Sequence, residues 1–145
     1  MKKALSALLI FLLCMGGTFA AAEKNELPID LDMKDASDTI AYTLVYDMQN
    51  YPDKYGGKRI RLRGELSYVL EAATGQEYFT IVIRDATACC KQWVEFVRAD
   101  EARYPEDYPP LDTVITVAGL YNTYEESGNI YVQLLDAQID WTGRE

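Results

Sequence analysis

The chain of 145 residues contains no histidine. Imidazole is the side chain that changes charge nearest neutral pH and is the commonest metal ligand, so Ser-His-Asp and Cys-His mechanisms and histidine metal sites are excluded. Cysteine is nearly as scarce, at three residues. No Gly-rich loop ends in Lys-Ser or Lys-Thr, which excludes a P-loop for nucleotide phosphates. Basic residues number 14 against 23 acids, a formal net charge of -9 at pH 7. Phosphate backbones and anionic lipid surfaces are bound through basic side chains that displace counterions, so no nucleic-acid partner is expected. The paired acids Asp100 and Glu101, and Glu125 and Glu126, lie in polar stretches without the ligand spacing of a calcium loop. They read as solubilising charge.

What is present begins with a targeting pattern. Lys2 and Lys3 precede an apolar run from Ala4 to Met15, and small residues "GGTFAAA" follow it. Those three parts make a secretory signal over residues 1–22, in a run too short to span a bilayer. Ala20 and Ala22 suit cleavage after Ala22, with cleavage after Ala20 the neighbouring alternative. Cys14 follows Leu12 and Leu13 rather than the Gly, Ala or Ser that precedes a lipid-modified cysteine, which favours plain secretion over a lipid anchor. The expected location is extracytoplasmic, periplasmic or secreted, with no membrane span after signal removal. Cleavage removes two lysines and no acid, so 14 − 2 = 12 basic residues face 23 acids and the net charge becomes -11. The remainder fits one domain with its own core.

Residues 23–36 show no sustained periodicity and read as a flexible leader; the domain then occupies residues 37–145. Ile40, Leu44, Val45 and Met48 fall at helical spacing, with Ser37 or Asp38 as cap and Pro52 as stop, which predicts a helix from Asp38 to Asn50. In "KRIRLRGEL", Ile60, Leu62 and Leu66 alternate with Arg59, Arg61, Arg63 and Glu65, the mark of a strand with one buried face. Gly64 sits in its inward register, where a missing side chain permits a sharp bend. Further strands are predicted in "EYFTIVIRD", "KQWVEFV", "TVITVAGLYNTY" and "NIYVQLLDAQIDW", the last two joined by a hairpin loop "EESGN".

Five strands, a bend-forming Gly in the first and a long connection between the third and fourth predict a mainly β fold. The architecture expected is a five-stranded antiparallel Greek-key OB-like barrel with an N-terminal α-helix, and Ile60, Leu62, Ile81, Val117 and Leu134 inside. A β-sandwich needs about seven strands.

The segment "NYPDKYGGKRIRLRGEL" resembles the opening of bacterial extracytoplasmic OB-like domains, through Asn50, Pro52, Tyr55, Gly57, Lys58 and Gly64. "DATACCKQWVEFV" and the stretch from Tyr104 to Asp140 are similar to secreted relatives, and to the Cys-Cys-bearing C-terminal domain of permease-associated membrane proteins. The resemblance implies a fold and no particular reaction.

Two sets of residues carry chemistry. Arg61, Arg63, Arg84, Lys91 and Trp93 form a candidate ligand face, since single-strand binding on an OB platform needs cations and stacking aromatics. Alternate arginines also simply solvate a strand, and the acidic balance favours that reading. Tyr42, Tyr46 and Tyr78 read as core-margin packing, and Tyr104 and Tyr108 as a stiff loop able to shape a groove.

The second set is Cys89 and Cys90, the only cysteines left after signal removal. A vicinal disulfide strains its backbone, because adjacent Cα atoms lie about 3.8 Å apart against the usual minimum of about 4.4 Å. The readings, in order, are structural (a turn-stiffening bridge or two small buried thiols), a redox switch, and a soft-metal ligand pair; two cysteines without histidine fall short of the usual zinc set. The function expected is a non-catalytic binding or accessory module for a small ligand or envelope protein, with no cofactor. The alternative is a thiol redox or metal-handling protein using Cys89 and Cys90.

Overall fold

The inward residues of the first long predicted strand, Ile60, Leu62 and Leu66, are buried, and the intervening arginines lie on the other face. This period of two recurs in each long strand of a computed structural model that describes residues 27–141. The signal region 1–22 lies outside the described residues. The elements are β1 (Leu31–Asp32), α1 (Asp38–Asn50), a 3₁₀ turn (Pro52–Lys54), β2 (Arg59–Leu70), β3 (Glu77–Arg84), β4 (Lys91–Arg98), β5 (Val114–Glu126) and β6 (Asn129–Asp140). Ile60, Leu62, Ile81, Val117 and Leu134 are all buried, as expected.

The sheet is six-stranded and mixed. Pairing passes from β2 to β3, β4, β6 and β5, and β5 pairs again with β2. Two of these expectations need correction. The sheet is not wholly antiparallel, because β4 and β6 run parallel, with Glu95 opposite Gln133 and Phe96 opposite Leu134. The residues between them, 99–128, hold β5, which takes the place between β6 and β2 and reverses the chain before β6 begins. Residues 31–33 are also not part of a formless leader: Leu31 and Asp32 pair parallel with Ile60 and Arg61, and Met33 is buried.

β2 changes partner along its length. Arg59 to Glu65 pair with β5, and Glu65 to Leu70 pair with β3. Gly64 stands at that change, where an added Cβ would lie 2.5 Å from Ile81 Cγ2 and 2.6 Å from the Val82 carbonyl oxygen. The predicted five-residue hairpin loop is shorter in fact. Strands continue to Glu126 and restart at Asn129, because Ser127 and Gly128 both take positive φ, 52° and 80°, the two-residue turn that matches strand twist.

The helix spans its predicted residues, but its buried stripe is Ala41, Val45 and Met48, at i, i+4 and i+7. Ile40 belongs to the adjacent row and is 53% exposed, a correction to the predicted stripe. Ser37 occupies the N-cap position without a side-chain cap bond. The helix packs on β3, β4 and β6. At its C-terminal end the Tyr121 hydroxyl donates to the Met48 carbonyl over 2.7 Å, filling one of the acceptors a helix end leaves without an intrahelical partner. Burial pushes the Tyr121 pKa up to about 12. Tyr121→Phe is therefore expected to cost about 1–2 kcal/mol, the penalty for stranding a buried acceptor, read from urea denaturation.

At the Phe79–Phe96 end of the β3–β4 pair, the proline-bearing connection packs its aromatics inward. Tyr104 stacks on Tyr68 with centroids 4.4 Å apart and Tyr108 on Phe79 at 4.2 Å. Arg98 sits over the Tyr108 ring and donates to the Asp107 carbonyl. These two tyrosines belong to the packing.

Candidate functional site

The β5–β6 hairpin reaches across to the outward side chains of β3 and β4. Tyr124 Oη donates to Glu95 Oε2 over 2.6 Å, and Tyr78 Oη to Glu126 Oε1 over 3.2 Å. Between these elements runs an open groove of about 460 Å³. Trp93, Tyr78, Tyr124, Tyr131, Val69 and Ile130 give it an apolar lining, and Glu95 and Glu126 are its charges. None of its described lining residues is basic.

The strands explain the arrangement. Val94 and Phe96 are buried, so Trp93 and Glu95 face outward from the same strand. Trp93 is 57% exposed and Ile130 67%. Tyr124 and Tyr131 are cross-strand partners, stacked at 5.5 Å. Burial raises the Glu95 pKa, against the opposing effect of the Tyr124 hydrogen bond. Apolar walls beside two carboxylates accommodate an apolar body carrying positive charge.

Of the predicted ligand face, only Trp93 enters this groove. Arg61 pairs with Asp32 at 2.8 Å, beside β1. Arg84 bonds Glu65 through Nε and Nη2, the closest contact 2.8 Å, and this holds the Glu65 carboxyl below its usual range. Lys91 lies opposite Arg84 in the β3–β4 ladder, and Arg63 lines a separate cleft with Gly64 and Arg84. The cations therefore form no single track along the groove. Glu95 and the tyrosines of β3, β5 and β6 were not among the predicted site residues. The strand alternation around Trp93 was the available signal for Glu95, and nothing local marked Tyr124 or Tyr131.

The thiols sit in the β3–β4 turn. Asp85 organises it: Oδ1 accepts the Cys89 N–H at 2.9 Å and the Cys90 N–H at 3.3 Å, and Oδ2 accepts the Thr87 hydroxyl at 2.8 Å. Those donors hold the Asp85 carboxyl below its usual range, with the Thr87 bond the largest cause. Ala88, at φ 56°, turns the chain so that both cysteines are exposed. Their Sγ atoms are 3.5 Å apart and unbonded, against about 2.05 Å in a disulfide. This corrects the structural expectation in both its forms, since the pair is neither a bridge nor buried. The neighbouring Cys89 raises the Cys90 pKa, first through the hydrogen bond between the two thiols and then through charge repulsion.

No family model and no curated protein matches the chain. Among solved structures, a solution NMR structure of an OB domain from Thermoplasma acidophilum is similar, with 10% identity over 79% of this chain and 89% of that one, at a TM-score of 0.33. Nothing in these comparisons bears on the permease-associated proteins. With so loose a likeness, the pairing circuit described above carries the description of the fold.

Proposed function

We infer that the chain is an OB-like barrel acting as a non-catalytic binding module, whose ligand is an organic cation on an apolar or aromatic body. The observation that carries this is the groove beside Trp93, apolar along its walls and, among the described residues, charged only by Glu95 and Glu126. The β2–β3–β4–β6–β5 circuit, closing on β2 with one parallel pairing, supports the barrel. In OB-folds the second and third strands and the flanking loops form the ligand face, and here β3, β4 and the β5–β6 turn border the groove. Export rests on residues 1–22. No helix among the described residues is long and apolar enough to cross a membrane.

Titrating the protein with benzyltrimethylammonium is expected to quench Trp93 fluorescence, while phenylacetate, an aromatic anion, leaves it unchanged. Trp93→Phe identifies the signal against Trp141, and Trp93→Ala, read by titration calorimetry, weakens binding about tenfold. Ionised Glu95 attracts the cation and protonated Glu95 does not. Its pKa lies above the ordinary carboxyl value, so affinity should fall as pH drops through that raised value. Labelled single-stranded DNA should show no anisotropy change at physiological salt. Equal quenching by phenylacetate, or salt-sensitive DNA binding at micromolar concentration, would overturn the reading.

A further inference from the structure

We propose that Asp85, Cys89 and Cys90 form an open three-ligand site for a borderline-soft divalent cation, zinc in the first instance. One carboxylate oxygen and the two sulfurs all lie within 4.8 Å of one another. Two zinc–sulfur bonds of about 2.3 Å at a tetrahedral angle place the sulfurs about 3.8 Å apart, and a sulfur and an oxygen about 3.5 Å apart. The structure has 3.5 Å between Cys89 Sγ and Cys90 Sγ, and 3.4 Å between Cys89 Sγ and Asp85 Oδ2. Both distances come within a few tenths of an ångström of the tetrahedral values, and the third separation, between Cys90 Sγ and the Asp85 oxygen, is within 4.8 Å. A linear two-sulfur ion such as two-coordinate copper(I) needs its sulfurs farther apart, on opposite sides of the metal, which this spacing does not supply.

The turn is set before any ion arrives. Asp85 Oδ1 is engaged by the two cysteine N–H groups, which fixes the carboxylate against the thiols and sets Oδ2, which accepts the Thr87 hydroxyl through one lone pair, toward Cys89 Sγ with its other. Binding needs no redox partner: each thiol loses its proton to solvent and forms one bond to the ion, and the carboxylate supplies the third. Three protein ligands leave the fourth corner to water or to an outside donor, as in open zinc sites, and the exposed cysteines keep it accessible. The inference is independent of the groove, since neither Trp93 nor Glu95 is a ligand.

The test is titration of phosphine-reduced protein with Zn²⁺ against a chromophoric chelator, and with Co²⁺ as a spectroscopic substitute. One ion per chain is expected, with thiolate-to-cobalt absorption and tetrahedral d–d bands. Cys89→Ser and Cys90→Ser should each lower affinity about 100-fold and Asp85→Asn about tenfold. The amide oxygen of Asp85→Asn still accepts the two N–H groups, while its nitrogen cannot ligate, so that variant separates ligation from turn formation. Trp93→Ala should bind zinc as the parent does, and circular dichroism should not distinguish any of these proteins. Parent-like affinity in either serine variant or in Asp85→Asn, two chains per ion, or an octahedral cobalt spectrum would each overturn the proposal.

Discussion

Gly64→Val is expected to abolish folding, and Gly64→Ala to cost more than about 4 kcal/mol, against a total of about 5–15 kcal/mol for a domain of this size. The reason is the double duty of β2. Its first half pairs with β5 and its second half with β3, so the strand bends where the two ladders meet. At that corner a methyl on residue 64 meets Ile81 Cγ2 at 2.5 Å, and the Val82 carbonyl oxygen at 2.6 Å. The isoleucine can rotate only into a filled interior, since Ile81 is fully buried. The carbonyl cannot retreat without opening the β2–β3 ladder, in which Val82 faces Glu65. Gly56→Ala is the control, because an added Cβ there meets nothing within 4 Å, and it should unfold at the parent denaturant midpoint. A Gly64→Ala protein with that same midpoint would show that the bend does not depend on the missing side chain.

What the sequence disclosed, and what it hid, follows from how far apart the interacting residues lie. Period-two alternation is written locally, so the five long strands, the bend at Gly64 and the buried Ile60, Leu62, Ile81, Val117 and Leu134 were all readable. The parallel β4–β6 pairing was not. No local pattern says which strand lies beside Phe96, and its partner is Leu134. β1 escaped notice because a two-residue strand with one buried follower, Met33, is too short to show a period. The site divided in the same way. Trp93 and the Cys89–Cys90 pair were visible as residue types, whereas Glu95 acquires its setting from Tyr124, 29 positions away. Arg84 looked like a ligand cation until Glu65, 19 positions distant, was found to occupy it. Thiol geometry is the exception to that rule of distance: Asp85 is a near neighbour in sequence, yet residue types alone do not say that one carboxylate accepts from both cysteine N–H groups and holds the two thiols outward.

Phe96→Ala should be the most damaging of the simple truncations, at about 3–5 kcal/mol. Phe96 is the bulkiest of the fully buried side chains and sits in the parallel pairing that joins β4 to β6. It faces Leu134 across the parallel β4–β6 pair, and the register shifts just beyond it, between Phe96 and Arg98. On its other side lies Phe79, at 6.2 Å between ring centroids, and Phe79 in turn carries Tyr108 of the long connection. Removing the ring opens a cavity that neighbours cannot fill: β4 is pinned through β3 and β6, and Phe79 is held by its stack with Tyr108. The damage should spread to that connection and be visible as faster proteolysis between residues 99 and 113, while the helix, whose Tyr42 hydroxyl accepts from the Gln92 amide at the other end of β4, keeps its circular-dichroism signal. Tyr108→Ala removes only a partly buried ring and should cost less than Phe96→Ala in the same urea titration. If the two variants lose equal stability, the aromatic stack rather than the β4–β6 junction is what secures this end of the fold.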